Sequence, residues 1–290
     1  MIKKVEKVKI VECPRDAMQG IHQFISTNDK IRYINNLLKV GFHTIDFGSF
    51  VSPAAIPQLR DTAEVLEQLD LTNSVSKLLA IVANYRGALE AIKYKQISFL
   101  GFPLSLSETF QKNNTNKTIE EAFGVLDQIQ SLCLNNKVTL VVYLSMGFGN
   151  PYGDEYHIDY VQDFVSRLQS LAVKIICPSD TVGIAKPETI AELFGNLIPA
   201  FPDVEFGAHL HASPVTVIEK VRSAYDVGCR RFDGAIQGFG GCPMAADDLV
   251  GNIATEKMIA FFENIEVETG LDKAQFNISY KIASEIFPAN

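Results

Sequence analysis

Two histidines stand one residue apart in His209-Leu-His211, at the end of an apolar run. Residues i and i+2 of a strand face the same side, so both imidazoles can reach one point. Imidazole is a good ligand for divalent transition metals; the competing reading is a pair of hydrogen-bonded histidines near a strand end. Arg15-Asp16 follow the first apolar run. That pair offers a carboxylate for a cation and a guanidinium that stays charged and can hold developing enolate or carboxylate charge. A structural ion pair is the alternative. Asp46, Asn84 and Asp180 also fall at or just after the ends of apolar runs. Asp180, in Asp180-Thr-Val-Gly183, could equally cap the next helix. Cys242 sits in Gly238-Phe-Gly-Gly-Cys-Pro243, where glycines let backbone approach a ligand closely. A cysteine packed in a tight turn is the other reading.

Positioning these residues requires a repeating framework, and the chain has one. Eight short apolar runs alternate with amphipathic stretches: Val8–Cys13, Thr44–Gly48, Leu78–Val82, Ile97–Gly101, Val138–Leu144, Val173–Cys177, Val204–His209 and Arg231–Ile236. Helical spacing appears between them. From Lys30 to Val40 it aligns Ile31, Ile34, Leu37 and Leu38, and from Tyr156 to Leu168 it aligns Ile158, Val161, Phe164 and Val165. Consecutive apolar residues, as in Val138 to Tyr143, are the pattern of parallel strands buried on both faces. Eight β/α units favour a closed barrel over an open doubly wound sheet, and no GxGxxG follows the first strand. The expectation is a single (β/α)8 TIM barrel over residues 1–290, with a mobile Gly-rich loop over its C-terminal mouth. In such barrels that mouth is where ligands are processed. The polar-looking segment Phe102–Lys117 is expected to cap it.

Composition excludes several classes. Hydrophobic residues make up 47% of the 290, and charged residues 21%, a globular mixture. With a net charge of -8 and no Lys/Arg stripe, nucleic acid is not an expected partner. Five cysteines without a CxxC pair argue against a disulfide framework. No run approaches 18 apolar residues, and no signal or transit segment opens the chain. A cytoplasmic protein with no membrane partner is expected.

Together these residues resemble the 3-hydroxy-3-methylglutaryl-CoA lyases of the DRE-TIM metallolyases, over nearly the whole chain. The resemblance runs through Val11-Glu-Cys-Pro-Arg-Asp-Ala-Met-Gln19, Ser49-Phe-Val-Ser-Pro53 with Pro57-Gln58, Ser107 to Asn116 with Ile119-Glu-Glu121, Ser179-Asp-Thr-Val-Gly183, Gly238 to Pro243 and Gly251-Asn-Ile-Ala-Thr-Glu256. It implies one divalent cation, Mg2+ or Mn2+, held by Asp16, His209, His211 and Asn252. It implies that Arg15 stabilises a thioester enolate and that Cys242, on a mobile loop, transfers a proton. Asp46 matches a family glutamate beside the metal, and Asp180 a family acid in the same pocket. The general base stays open among Asp46, Asp180 and a metal-linked histidine. Asn84 and Lys112 are expected to bind substrate, an acyl-CoA thioester, with Lys112 and nearby Lys117 as candidates for phosphate contacts. A homodimer is expected. The implied reaction cleaves 3-hydroxy-3-methylglutaryl-CoA to acetyl-CoA and acetoacetate. Competing readings are a related aldolase or Claisen-type enzyme and a non-catalytic binding barrel. Ala212 after the second histidine, where the family carries an aspartate, bears most on substrate identity.

Overall fold

Burial on both faces is what the apolar runs require, and the chain supplies it by closing them into a ring. The structure, a computed structural model, describes residues 7–241 and 250–287. Its strands are β1 Lys9–Glu12, β2 Thr44–Ser49, β3 Lys77–Ile81, β4 Ile97–Ser105, β5 Thr139–Ser145, β6 Ile175–Pro178, β7 Glu205–Ala208 and β8 Arg231–Gly234. Each pairs in parallel with the next, and β1 with β8 closes the barrel, Lys9 standing opposite Arg231. The eight strands read from the sequence are therefore present in order. The seam between first and last is pinned by the buried Glu12, which accepts the Ile236 N–H at 2.8 Å and the Thr255 hydroxyl at 2.6 Å.

The helices are α1 Pro14–Gln19, α2 Thr27–Leu37, α3 Thr62–Glu67, α4 Tyr85–Ala91, α5 Glu108–Thr115, α6 Ile119–Asn136, α7 Ile158–Ser170, α8 Pro187–Ala200, α9 Val217–Asp226, α10 Thr255–Asn264 and α11 Lys273–Ile286. Outward strand residues pack beneath them, while the lumen is filled by Leu79, Phe99, Val141, Tyr143, Ile175 and Cys177. In β5, Leu140 through Leu144 are all buried, as two-faced packing demands. Helix α2 begins three residues before the apolar periodicity does, because the Ser26 hydroxyl accepts the Asp29 N–H and caps it there.

One expected boundary is corrected. Phe102–Ser105 is not part of a polar cap but the second half of β4, pairing with Val142–Ser145, and Phe102 and Leu104 are buried. The rest of that segment does roof the mouth, since α5 brings Phe110, Asn114 and Thr115 to the cavity wall. Cys13, Cys133, Cys177 and Cys229 are free and buried. Among the described residues no helix is long and apolar enough to cross a membrane.

Candidate active site

The C-terminal mouth holds a cavity of about 440 Å³. Pro14 presets a helical φ at the end of β1, so the chain turns at once into α1 and presents Arg15 and Asp16 to the cavity. Four residues along, one helical turn, Gln19 meets Arg15 on the same face, Nη1 to Oε1 at 2.9 Å. The guanidinium is held from three sides. Nη1 donates to Asp16 Oδ1 at 2.8 Å, Nη2 to Asp46 Oδ2 at 2.6 Å and Nε to the same oxygen at 3.0 Å. A guanidinium has five N–H donors; these bonds occupy four and leave one, on Nη2, for a ligand.

His209 and His211 lie just past β7, where extended pairing continues as single bridges, His209 to Ser179 and His211 to Asn252. The two-residue period therefore persists beyond the strand and turns both rings inward, 5.5 Å apart by centroid. One donor atom from each of Asp16, His209 and His211 lies within 4.8 Å of the others. The Asn252 amide joins them, its nitrogen donating to Asp16 Oδ2 at 2.6 Å and to the Phe239 carbonyl at 2.9 Å. Gly240 roofs this corner with φ +93°, and a Cβ there would lie 2.6 Å from Asn252 Nδ2 and 2.8 Å from the Asp16 carbonyl. Only glycine fits both the backbone angle and the space.

Burial works to raise the Asp16 carboxyl, but Arg15, His209, the Asn252 hydrogen bond and His211 outweigh it and hold it at about 2. Asp46 behaves oppositely. Burial dominates, and the charges of Asp16 and Asp233 reinforce it, so despite Arg15 its carboxyl is pushed up to about 6. Burial, with the neighbouring His209, depresses His211 to about 4, so the ring is neutral at pH 7. Its Nε2 is buried without a hydrogen-bond partner. A neutral imidazole with an unpartnered inward nitrogen, beside an ionised carboxylate, is the chemistry of a cation ligand set. The residues present therefore fit a divalent ion.

Sequence reasoning did not single out Asp233. It is fully buried on β8 and accepts from His209 Nδ1 at 3.1 Å, which leaves Nε2 to face the cavity. Orienting a ligand imidazole through its other nitrogen is what outer-shell carboxylates do. An acid inside a two-faced strand was the signal available. Asp233→Ala is expected to weaken Mn2+ affinity about 10–100-fold, measured by titration calorimetry; unchanged affinity would leave Asp233 a bystander.

Other expected residues are placed differently. Asn84 caps α4, its Oδ1 taking the Gly87 N–H at 2.9 Å, and does not line the cavity. Lys112 is exposed on α5, 3.1 Å from Glu108, outside the cavity wall. Asp46 stands behind Arg15 rather than on the wall. Asp180 is turned away from the cavity: one carboxylate oxygen takes the Ala185 N–H at 3.0 Å and the other the Lys220 ammonium at 2.8 Å. Cys242 lies outside the described residues, as does most of the Gly-rich loop's far side.

Fold and cavity together define a (β/α)8 barrel with an acid–histidine cluster at its C-terminal mouth. The chain belongs to the HMGL-like family, whose model matches residues 7–280. A Bacillus subtilis hydroxymethylglutaryl-CoA lyase is 33% identical over 267 residues, covering 92% of this chain and 88% of that protein. The crystal structure of a Bacillus subtilis HMG-CoA lyase superposes with a TM-score of 0.91 at 31% identity, covering 98% of this chain and 96% of that one. An Acinetobacter baumannii HMG-CoA lyase in complex with coenzyme A and 3-methylmalate gives 0.88 at 30% identity, over 96% of this chain and 91% of that one.

Proposed function

We propose that this chain is a metal-dependent carbon–carbon lyase that cleaves 3-hydroxy-3-methylglutaryl-CoA to acetyl-CoA and acetoacetate. The observation that carries the reading is the convergence of Asp16, His209 and His211 beside Arg15 in one cavity. Asp16, His209 and His211 would hold the ion, Mg2+ or Mn2+, with Asn252 once its amide turns to present Oδ1. A bound divalent ion supplies Lewis-acid polarisation of hydroxyl and carboxylate oxygens.

The protein's own residues do the rest. The tertiary hydroxyl passes its proton to a base of the site, Asp46 or a cavity-lining histidine, its oxygen becomes the ketone of acetoacetate, and the bond from C3 to the thioester α-carbon breaks. Its electron pair passes to the thioester enolate, whose oxygen takes the remaining N–H of Arg15. Asp46 and Gln19 hold that guanidinium in place. Val51, Ile56, Pro57, Ile81 and Phe110 wall the cavity and keep water from the enolate. Cys242 gives the proton that turns the enolate carbon into a methyl group. Lys112 is exposed on the helix whose Phe110 and Asn114 wall the mouth, and its ammonium would meet the phosphates of the CoA moiety.

The test is incubation with 3-hydroxy-3-methylglutaryl-CoA, with and without Mg2+ or Mn2+, following acetoacetate. Metal-dependent release is expected, and no acetoacetate at any metal concentration would overturn the reading. His211→Ala should weaken Mn2+ binding by at least the about 10–100-fold that loss of an outer-shell partner costs. Parent-like Mn2+ affinity in that variant would remove His211 from the site.

A further inference from the structure

Lys220 lies on α9, on what reads as the ordinary amphipathic surface of a barrel helix, yet its side chain is only 6% exposed. Its ammonium has three N–H donors, and three acceptors surround it. These are Asp180 Oδ2 at 2.8 Å, the His211 carbonyl at 2.7 Å and the Gly183 carbonyl at 3.2 Å. Asp180 is fixed in turn by the Ala185 N–H at 3.0 Å, and its own N–H donates to the His209 carbonyl at 2.9 Å. The 180–185 turn is thus tied to both histidines of the cavity. One buried ammonium therefore holds His211 by its carbonyl and, through Asp180, the turn bonded to the His209 carbonyl.

From this geometry we infer that Lys220 is a positioning residue for His211, and that Asp180 serves as its counter-charge rather than as an acid that exchanges protons with substrate. The inference rests on the reading of His211 as a metal ligand. Both oxygens of Asp180 are engaged by protein donors, and neither lines the cavity. Breaking a buried pair from one side leaves an uncompensated charge, so a loss of stability alone would not distinguish positioning from scaffolding. Metal affinity does, since a merely structural pair would lower the melting temperature and leave the ligands of the folded protein where they are.

The experiment uses the full chain and Mn2+ by titration calorimetry, well below each variant's melting temperature. Lys220→Met is expected to weaken Mn2+ binding about tenfold or more, in the range for outer-shell partners. In Lys220→Met/Asp180→Asn, charge is balanced and Asn keeps an acceptor for Ala185, so stability should recover while Mn2+ affinity stays low, because nothing holds the His211 carbonyl. Mn2+ affinity within about twofold of the parent in either folded variant would overturn the positioning role. Asp180→Asn alone addresses the second half and does not depend on the folding of the lysine variants. It should keep kcat within about tenfold of the parent, whereas loss of an acid–base group removes about 10²–10⁴. A loss of that size with Mn2+ affinity intact would make Asp180 a proton-transfer group and overturn the assignment. A parent that binds no Mn2+ would instead overturn the metal-site reading itself, and this inference with it.

Discussion

Arg15→Lys is expected to lower kcat by about two orders of magnitude or more, the scale of losing one oxyanion donor, while Mn2+ binding persists. Lysine keeps the charge but not the planar fork. In the parent, Nε and Nη2 lock onto Asp46, and Nη1 bridges Asp16 and Gln19, so the last N–H points one way. An ammonium on a flexible stem would be drawn to Asp16 and Asp46 without that aim. Steady-state kinetics with a parallel Mn2+ titration separates the two effects. Near-parental turnover would reduce Arg15 to a structural ion-pair partner.

Cys242→Ser is expected to fold, keep its metal and hold a similar KM, while kcat falls by about 10²–10⁴. A thiol with an ordinary pKa of about 8.5 exchanges protons near neutral pH, and a serine hydroxyl does not. The structure describes the approach to this residue. Gly240 packs its backbone against Asn252 and Asp16, and the chain reaches Cys242 two residues later. The buried cysteines make the control. Burial pushes Cys133 and Cys229 up to about 12, so neither thiol ionises near neutral pH, and Cys133→Ser should leave kcat unchanged. A Cys242→Ser enzyme at parental kcat would falsify the acid–base role.

The framework was legible because parallel strands buried on both faces leave an unmistakable run of apolar residues, and eight of them occurred in turn. The second half of β4 was not. Pro103 and the serines around it read as a loop, yet Pro103 pairs with Tyr143 inside the ring. His209 and His211 were legible through their spacing alone, since extended pairing outlasts the strand. What surrounds them was not. Asp233 is one acid in a short strand, and Lys220 sits at a helical position where a lysine ordinarily faces water. Pairing across 24 and 40 residues depends on which strand ends meet, and local pattern does not carry that. Asn84 was misread for the opposite reason. Its position after a strand suggested the cavity, but the N–H groups at the start of α4 were nearer and claimed its side chain.

The seam between β1 and β8 gives this site a history as well as a place. Asp16 and Asn252, bonded at 2.6 Å, are 236 residues apart, and Glu12 clasps Thr255 across 243. Contacts so distant along the chain form late, because the loop they close is nearly the whole molecule. An unclosed barrel would already own every strand from β2 to β7 and still have no cavity. Any ligand that grips Asp16 together with His211 therefore binds only the finished ring. It acts as a latch on the two ends of the polypeptide, drawing the folding equilibrium toward closure by mass action.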